Sequence, residues 1–130
     1  MKRTILVIDD NPDLLDIVDA ILTGAGYVVA KALSGEDGLV VARNLHPSLI
    51  LLDLNMPKLD GRQALEEIKN EERLRKIPTI VFTTSNAREE IRRAYASGAS
   101  SFIIKPFSFN SLVDMMKIIK HYWLETVELP

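Results

Sequence analysis

Cysteine is absent from this 130-residue chain, which rules out a disulfide framework and any thiolate metal site, and which suits a reducing compartment. No sign of charge dominates either. Sixteen basic side chains stand against eighteen acidic ones, a formal charge of -2, so no whole-protein field drives the molecule onto nucleic acid or anionic lipid. No run approaches the length of a membrane span. The N-terminus, "MKRTILVIDDNP", begins basic, but its apolar stretch falls short of the roughly 7 to 15 residues of a signal peptide and ends in two aspartates. Repeats, low-complexity tracts and linkers are also missing. The expectation is a soluble cytoplasmic protein that recognises its partners locally. An apolar content of 47% is enough to fill the core of one compact domain.

Short β-branched runs alternate with longer stretches of helical period, the mark of βαβ units and a parallel sheet. Strands are expected at residues 4–9, 27–32, 48–53, 79–84 and 101–105. The first helix opens at Asn11-Pro12, a capping residue followed by proline at the first helical position, and carries an apolar stripe of Leu14, Ile17, Val18, Ile21 and Leu22. Ser34 starts the second helix, with Asp37 completing a near capping box. The third is expected over 62–72, the fourth over 87–97 and the fifth over 109–122. Right-handed crossovers then put helices on both faces of one sheet. Periodicity does not determine the order of the strands.

In such sheets ligands bind beyond the carboxyl ends of the strands. The first strand ends in Asp9-Asp10, the third in Asp53, the fourth in Thr83-Thr84 and the fifth in Lys105-Pro106. Taken singly these are ordinary: an acidic pair suits a helix N-terminus, and "LDG" at 59–61 is turn chemistry. Their coincidence at one edge carries the inference. Three converging carboxylates would raise one another's pKa unless a cation sat among them, which predicts a divalent metal. All-oxygen ligation selects a hard ion, Mg²⁺, which keeps waters and takes phosphate oxygens. Lys105 then supplies a point charge for a phosphoryl group and Thr83 a hydroxyl donor. Asp53 is placed as the nucleophile, forming an aspartyl phosphate.

These residues match a known family. "ILVIDDNPDL", "LILLDLNMPKLDG", "IPTIVFTTS" and "GASSFIIKPF" together resemble the receiver domain of two-component response regulators, in spacing and order, over nearly all of residues 4–120. The resemblance implies a doubly wound (βα)5 flavodoxin-like α/β sandwich with strand order 2-1-3-4-5. It implies Asp53 as phospho-acceptor, Asp10 as a direct Mg²⁺ ligand, Asp9 as one acting partly through water, and the Asn55 carbonyl as a further ligand. Thr83 and Phe102 fall at the switch positions, Phe102 where tyrosine is common, and Lys105 pairs with the phosphoryl group across an expected cis bond to Pro106. Asn55 and Ser85 sit where the family tunes hydrolysis of the acyl phosphate.

The expected organisation is a receiver domain over 1–122 and a tail over 123–130 with no effector domain. "HYWLETVELP" resembles the stand-alone receivers of phytochrome-type histidine kinases, so a sensor histidine kinase of that kind is the implied phosphoryl donor. Output would then be a contact with a downstream protein rather than catalysis on a substrate. Leu112, Met115, Met116, Ile119 and Trp123 form one stripe, and Val113, Ile118 and Tyr122 widen it, which suggests a partner or a homodimer through the last helix and tail, unless the tail covers this face. Two rivals share parts of the pattern. A haloacid-dehalogenase-type phosphatase wants a second acid where Asn55 stands, and a flavodoxin-like FMN carrier wants a phosphate loop where Asp9-Asp10 would repel one. His46 and His121, at a helix end and in an exposed last turn, are poor phosphorelay donors.

Overall fold

The computed structural model describes residues 3–56 and 61–130. Five strands, β1 (Thr4–Ile8), β2 (Val28–Ala32), β3 (Leu49–Leu52), β4 (Thr79–Thr83) and β5 (Ser101–Ile104), form one parallel sheet in the order 2-1-3-4-5. Between and after them run α1 (Pro12–Gly24), α2 (Gly35–Leu45), α3 (Gly61–Asn70), α4 (Arg88–Ala96) and α5 (Phe109–Ile119). The doubly wound α/β fold and the order implied by the resemblance are both observed. β2 ends at Ala32 as expected, while β1, β3, β4 and β5 each stop one residue short of the sequence-based end, so Asp9, Asp53 and Lys105 stand just past a strand rather than inside it.

Unbroken apolar strands such as Leu49–Leu52 are explained by two cores, one on each face. Leu6, Ile8, Ile50 and Leu52 face Leu39, Ala64, Leu65, Ile68 and Ala94 of α2, α3 and α4. Ile5, Val7, Leu49 and Leu51 face Leu14, Val18 and Leu22 of α1 and Met116 and Ile119 of α5. The period-2 alternation of a strand divides one oily run between the two layers.

The starts of α1, α2 and α5 follow their capping residues. Asn11 Oδ1 accepts from the N–H groups of Asp13 (3.0 Å) and Leu14 (3.4 Å), with Pro12 at the first turn, where no N–H is needed. Ser34 Oγ accepts from Asp37 N, and Ser108 Oγ caps α5 through Ser111 N, each at 3.1 Å.

Two expectations are corrected. Among the described residues no peptide bond is cis, so Lys105–Pro106 is trans. Trans is the lower form of an X–Pro bond by about 0.5–1 kcal/mol unless the surroundings demand otherwise. They do not here: with the trans bond Lys105 N–H reaches Thr83 O at 2.7 Å and its ammonium reaches Asp9 at 2.6 Å. The last helix also does not stop near residue 122, because a π-helix, Lys120–Thr126, continues it. The wider turn sends Leu124 into the α1–α5 core, where it is buried, with Trp123 and Leu129 packed against the same cluster. Thr126 Oγ1 donates to His121 O at 2.7 Å and Val127 N to Tyr122 O at 3.0 Å, closing the end of the segment. The tail therefore covers part of the apolar stripe, and Ile118 and Tyr122 stay exposed.

Candidate functional site

The backbone ladder holds the polar strand ends in place. Asp9 N donates to Ala32 O (3.0 Å), Asp53 N to Ile8 O (2.9 Å) and Lys105 N to Thr83 O (2.7 Å). Each side chain is thus the first to leave its strand, with β1 and β3 paired on both sides and β5 at the edge of the sheet. Asp9, Asp53 and Thr83 are buried, while Asp10 is exposed.

One carboxylate oxygen from each of Asp9, Asp10 and Asp53 lies within 4.8 Å of the others. Lys105 Nζ donates to Asp9 Oδ2 at 2.6 Å and stands 3.6 Å from Asp53 Oδ2, over the Phe82 ring. Asn11 N–H supplies Asp9 Oδ1 at 2.9 Å, and Asn55 N–H supplies Asp53 Oδ1 at 3.2 Å. Asp9 titrates above its ordinary value. Burial is the largest cause and the Asp53 charge adds to it, against the hydrogen bonds and charge of Lys105 and the Asn11 N–H. Of the three clustered carboxylates, Asp9 and Asp53 share the one ammonium of Lys105, and the donor set is all oxygen. That set fits a hard divalent cation, which would supply the positive charge that one lysine leaves short.

Asn55 also makes contacts through its side chain. Its Nδ2 donates to Thr83 Oγ1 at 3.0 Å, and its Oδ1 accepts from Arg62 Nη2 at 3.3 Å. Arg62 also donates to Leu54 O and pairs with Glu90 on α4. The sequence reading missed Arg62 and Glu90. A signal existed: an arginine in the first turn of α3 opposes the helix macrodipole, so its charge serves something other than the helix.

Gly61 is also more than turn chemistry. A Cβ there would lie 1.9 Å from Asp53 O and 2.5 Å from Leu54 Cα, so only glycine lets α3 begin against the backbone of the site. Residues 57–60, including Asp60 of the "LDG" turn, lie outside the described residues. Phe102 is partly buried against the core of the α2–α4 face, and its N–H on edge strand β5 donates to the Tyr95 hydroxyl at 3.1 Å. His46 caps α2 with left-handed backbone (φ 46°), and His121 lies in the π-helix; neither belongs to this group of side chains.

Comparison with known proteins agrees with this arrangement. The response regulator Rcp1 of Synechocystis is 43% identical over 84 residues, 65% of this chain and 57% of that protein. The chain spans about half the length of the curated relatives it first matches. Among solved structures, the Mn²⁺-bound form of Rcp1 superposes with a TM-score of 0.91 at 31% identity, covering 98% of this chain and 99% of that one. The phosphorylated cyanobacterial phytochrome response regulator RcpA gives 0.94 at 30% identity, covering 100% and 99%. The model of the response regulator receiver domain matches residues 5–117, nearly the whole of the sheet and its helices, and the chain belongs to that family of two-component regulatory domains.

Proposed function

We propose that this chain is a phosphorylation-dependent switch that takes a phosphoryl group from a histidine kinase onto Asp53, with Mg²⁺ as cofactor. The observation that carries the proposal is the group of three carboxylates at the strand ends with Lys105 Nζ between Asp9 and Asp53. In the transfer an Asp53 carboxylate oxygen bonds to phosphorus while the P–N bond of a phosphohistidine breaks, its electron pair remaining on the imidazole nitrogen. Asp9, Asp10, Asp53 and the Asn55 carbonyl would hold the ion, which when bound neutralises the crowded oxygens. Lys105 and Thr83 then have a phosphoryl oxygen to pair with, and Phe102 is the candidate to move with Thr83. Rcp1 with Mn²⁺ bound and RcpA in its phosphorylated form support the metal and the modification. RcpA's description as a phytochrome response regulator supports a phytochrome-type kinase as partner.

The reading makes the chain a regulator rather than an enzyme with a turned-over substrate. No observation supports the phosphatase or FMN-carrier alternatives, and the family match disfavours both. No helix among the described residues is long and apolar enough to cross a membrane, and the proposal assigns the switch to the cytoplasm. Its output would be a protein contact without nucleic acid, and exposed Ile118 and Tyr122 on the last helices are the proposed contact residues, whether for a downstream protein or a second copy. Incubation with acetyl phosphate tests the function. With Mg²⁺ the intact protein should gain the mass of one phosphoryl group, and with excess chelator none; no gain in either condition overturns the proposal.

The raised pKa of Asp9 makes the metal step pH-dependent. A carboxyl whose folded pKa lies above its unfolded value binds more protons folded than unfolded. This group therefore favours folding most at low pH, and that contribution is lost as pH rises through the folded pKa. Above it the charged form is a cost that a cation relieves. Mg²⁺ binding must expel that proton, so affinity by calorimetry should fall on acidification before the ordinary carboxylate range is reached. Asp9→Asn should flatten that dependence and raise the urea midpoint of the metal-free protein at neutral pH.

A further inference from the structure

The hydrogen-bond chain from Thr83 through Asn55 to Arg62 has a fixed polarity. A guanidinium carries only donors, so it can face only the carbonyl end of the Asn55 amide. The Asn55 NH₂ is thereby turned to Thr83 and donates to its oxygen at 3.0 Å. Thr83 is fully buried, and among the described residues no group accepts its own proton. A buried donor without an acceptor is costly, and such donors persist where a ligand is to be met. Were the amide reversed, Thr83 would spend its proton on the Asn55 carbonyl and bring only lone pairs to an anionic phosphoryl group.

We infer that Arg62 is a positioning residue for phosphoryl transfer: by orienting the Asn55 amide it keeps the Thr83 hydroxyl available as a donor. Glu90 on α4 and Leu54 O anchor the guanidinium in the pose this requires. The inference rests on the phospho-acceptor reading above, and it reaches the chemistry only through Thr83.

A double-mutant cycle tests it, with the initial rate of phosphoryl gain from acetyl phosphate and Mg²⁺ read by intact mass. Arg62→Gln, which can offer Asn55 either a donor or an acceptor, should slow the gain about 10-fold, the worth of one hydrogen bond. Arg62→Lys, still donor-only, should recover most of the rate. In a Thr83→Val background Arg62→Gln should have no further effect, because the group it orients is gone. Equal slowing in both backgrounds, or no rescue by lysine, overturns the inference while leaving the phospho-acceptor reading intact. If the unaltered protein gains no phosphoryl group, that reading itself has failed.

Discussion

Asp53→Asn is expected to lose phosphoryl gain from acetyl phosphate by on the order of 10⁴-fold or more, to background, as removal of a nucleophile does. The amide keeps the shape of the side chain but not the charge that attacks phosphorus. The fold should survive. Asp53 N–H still bonds Ile8 O at 2.9 Å, and Lys105 keeps its closer partner, Asp9, at 2.6 Å against 3.6 Å to Asp53. No neighbour should substitute. Asp9 is occupied on both oxygens, by Lys105 and by Asn11 N–H, and its carboxyl holds its proton more tightly than an ordinary one. Intact mass measures the loss, with an unchanged far-ultraviolet circular dichroism spectrum as the check on folding. Full phosphorylation of the variant would assign the nucleophile to another residue.

Gly61→Ala carries the largest expected effect on stability. The new Cβ would fall 1.9 Å from Asp53 O, 2.5 Å from Leu54 Cα and 2.6 Å from the Asp53 carbonyl carbon, all backbone atoms that cannot rotate away. Overpacking of well-packed sites costs about 1–3 kcal/mol, occasionally more, and contacts to fixed backbone belong at the upper end, about 3 kcal/mol. The urea midpoint should fall with the slope unchanged. Displacing α3 also displaces Asp53, so the surviving folded protein should gain its phosphoryl group more slowly. Gly24→Ala is the matched control. Nothing lies within 4 Å of its Cβ position near the end of α1, and the substitution should be neutral or stabilising by roughly 0.4–1 kcal/mol. A wild-type midpoint for Gly61→Ala would show that α3 does not lean on the site as described.

The strands, the helix starts at Asn11 and Ser34 and the polar strand ends were legible because each is written locally, in periodicity or in a capping residue. Strand order was not, since nothing in Leu49–Leu52 says which strand lies beside it; the resemblance supplied that. What escaped the sequence depends on distant packing. The π-helix at Lys120–Thr126 forms where Leu124 finds the α1–α5 core, and no spacing within "HYWLETVELP" announces it. Gly61 reads as a turn residue until α3 is seen against the backbone of Asp53. Arg62 and Glu90 are 28 residues apart, so their pairing across α3 and α4 has no local trace. The Lys105–Pro106 bond shows the opposite error, a family expectation that this chain's trans geometry does not meet.

The central claim is that Asp53 is the residue modified. After incubation with acetyl phosphate and Mg²⁺, borohydride reduction converts an aspartyl phosphate to homoserine, and tandem mass spectrometry of the digested protein locates it. The expected result is homoserine at position 53 alone, absent without acetyl phosphate. Homoserine at position 9 or 10, or a phosphorylated protein carrying none at position 53, would contradict the assignment.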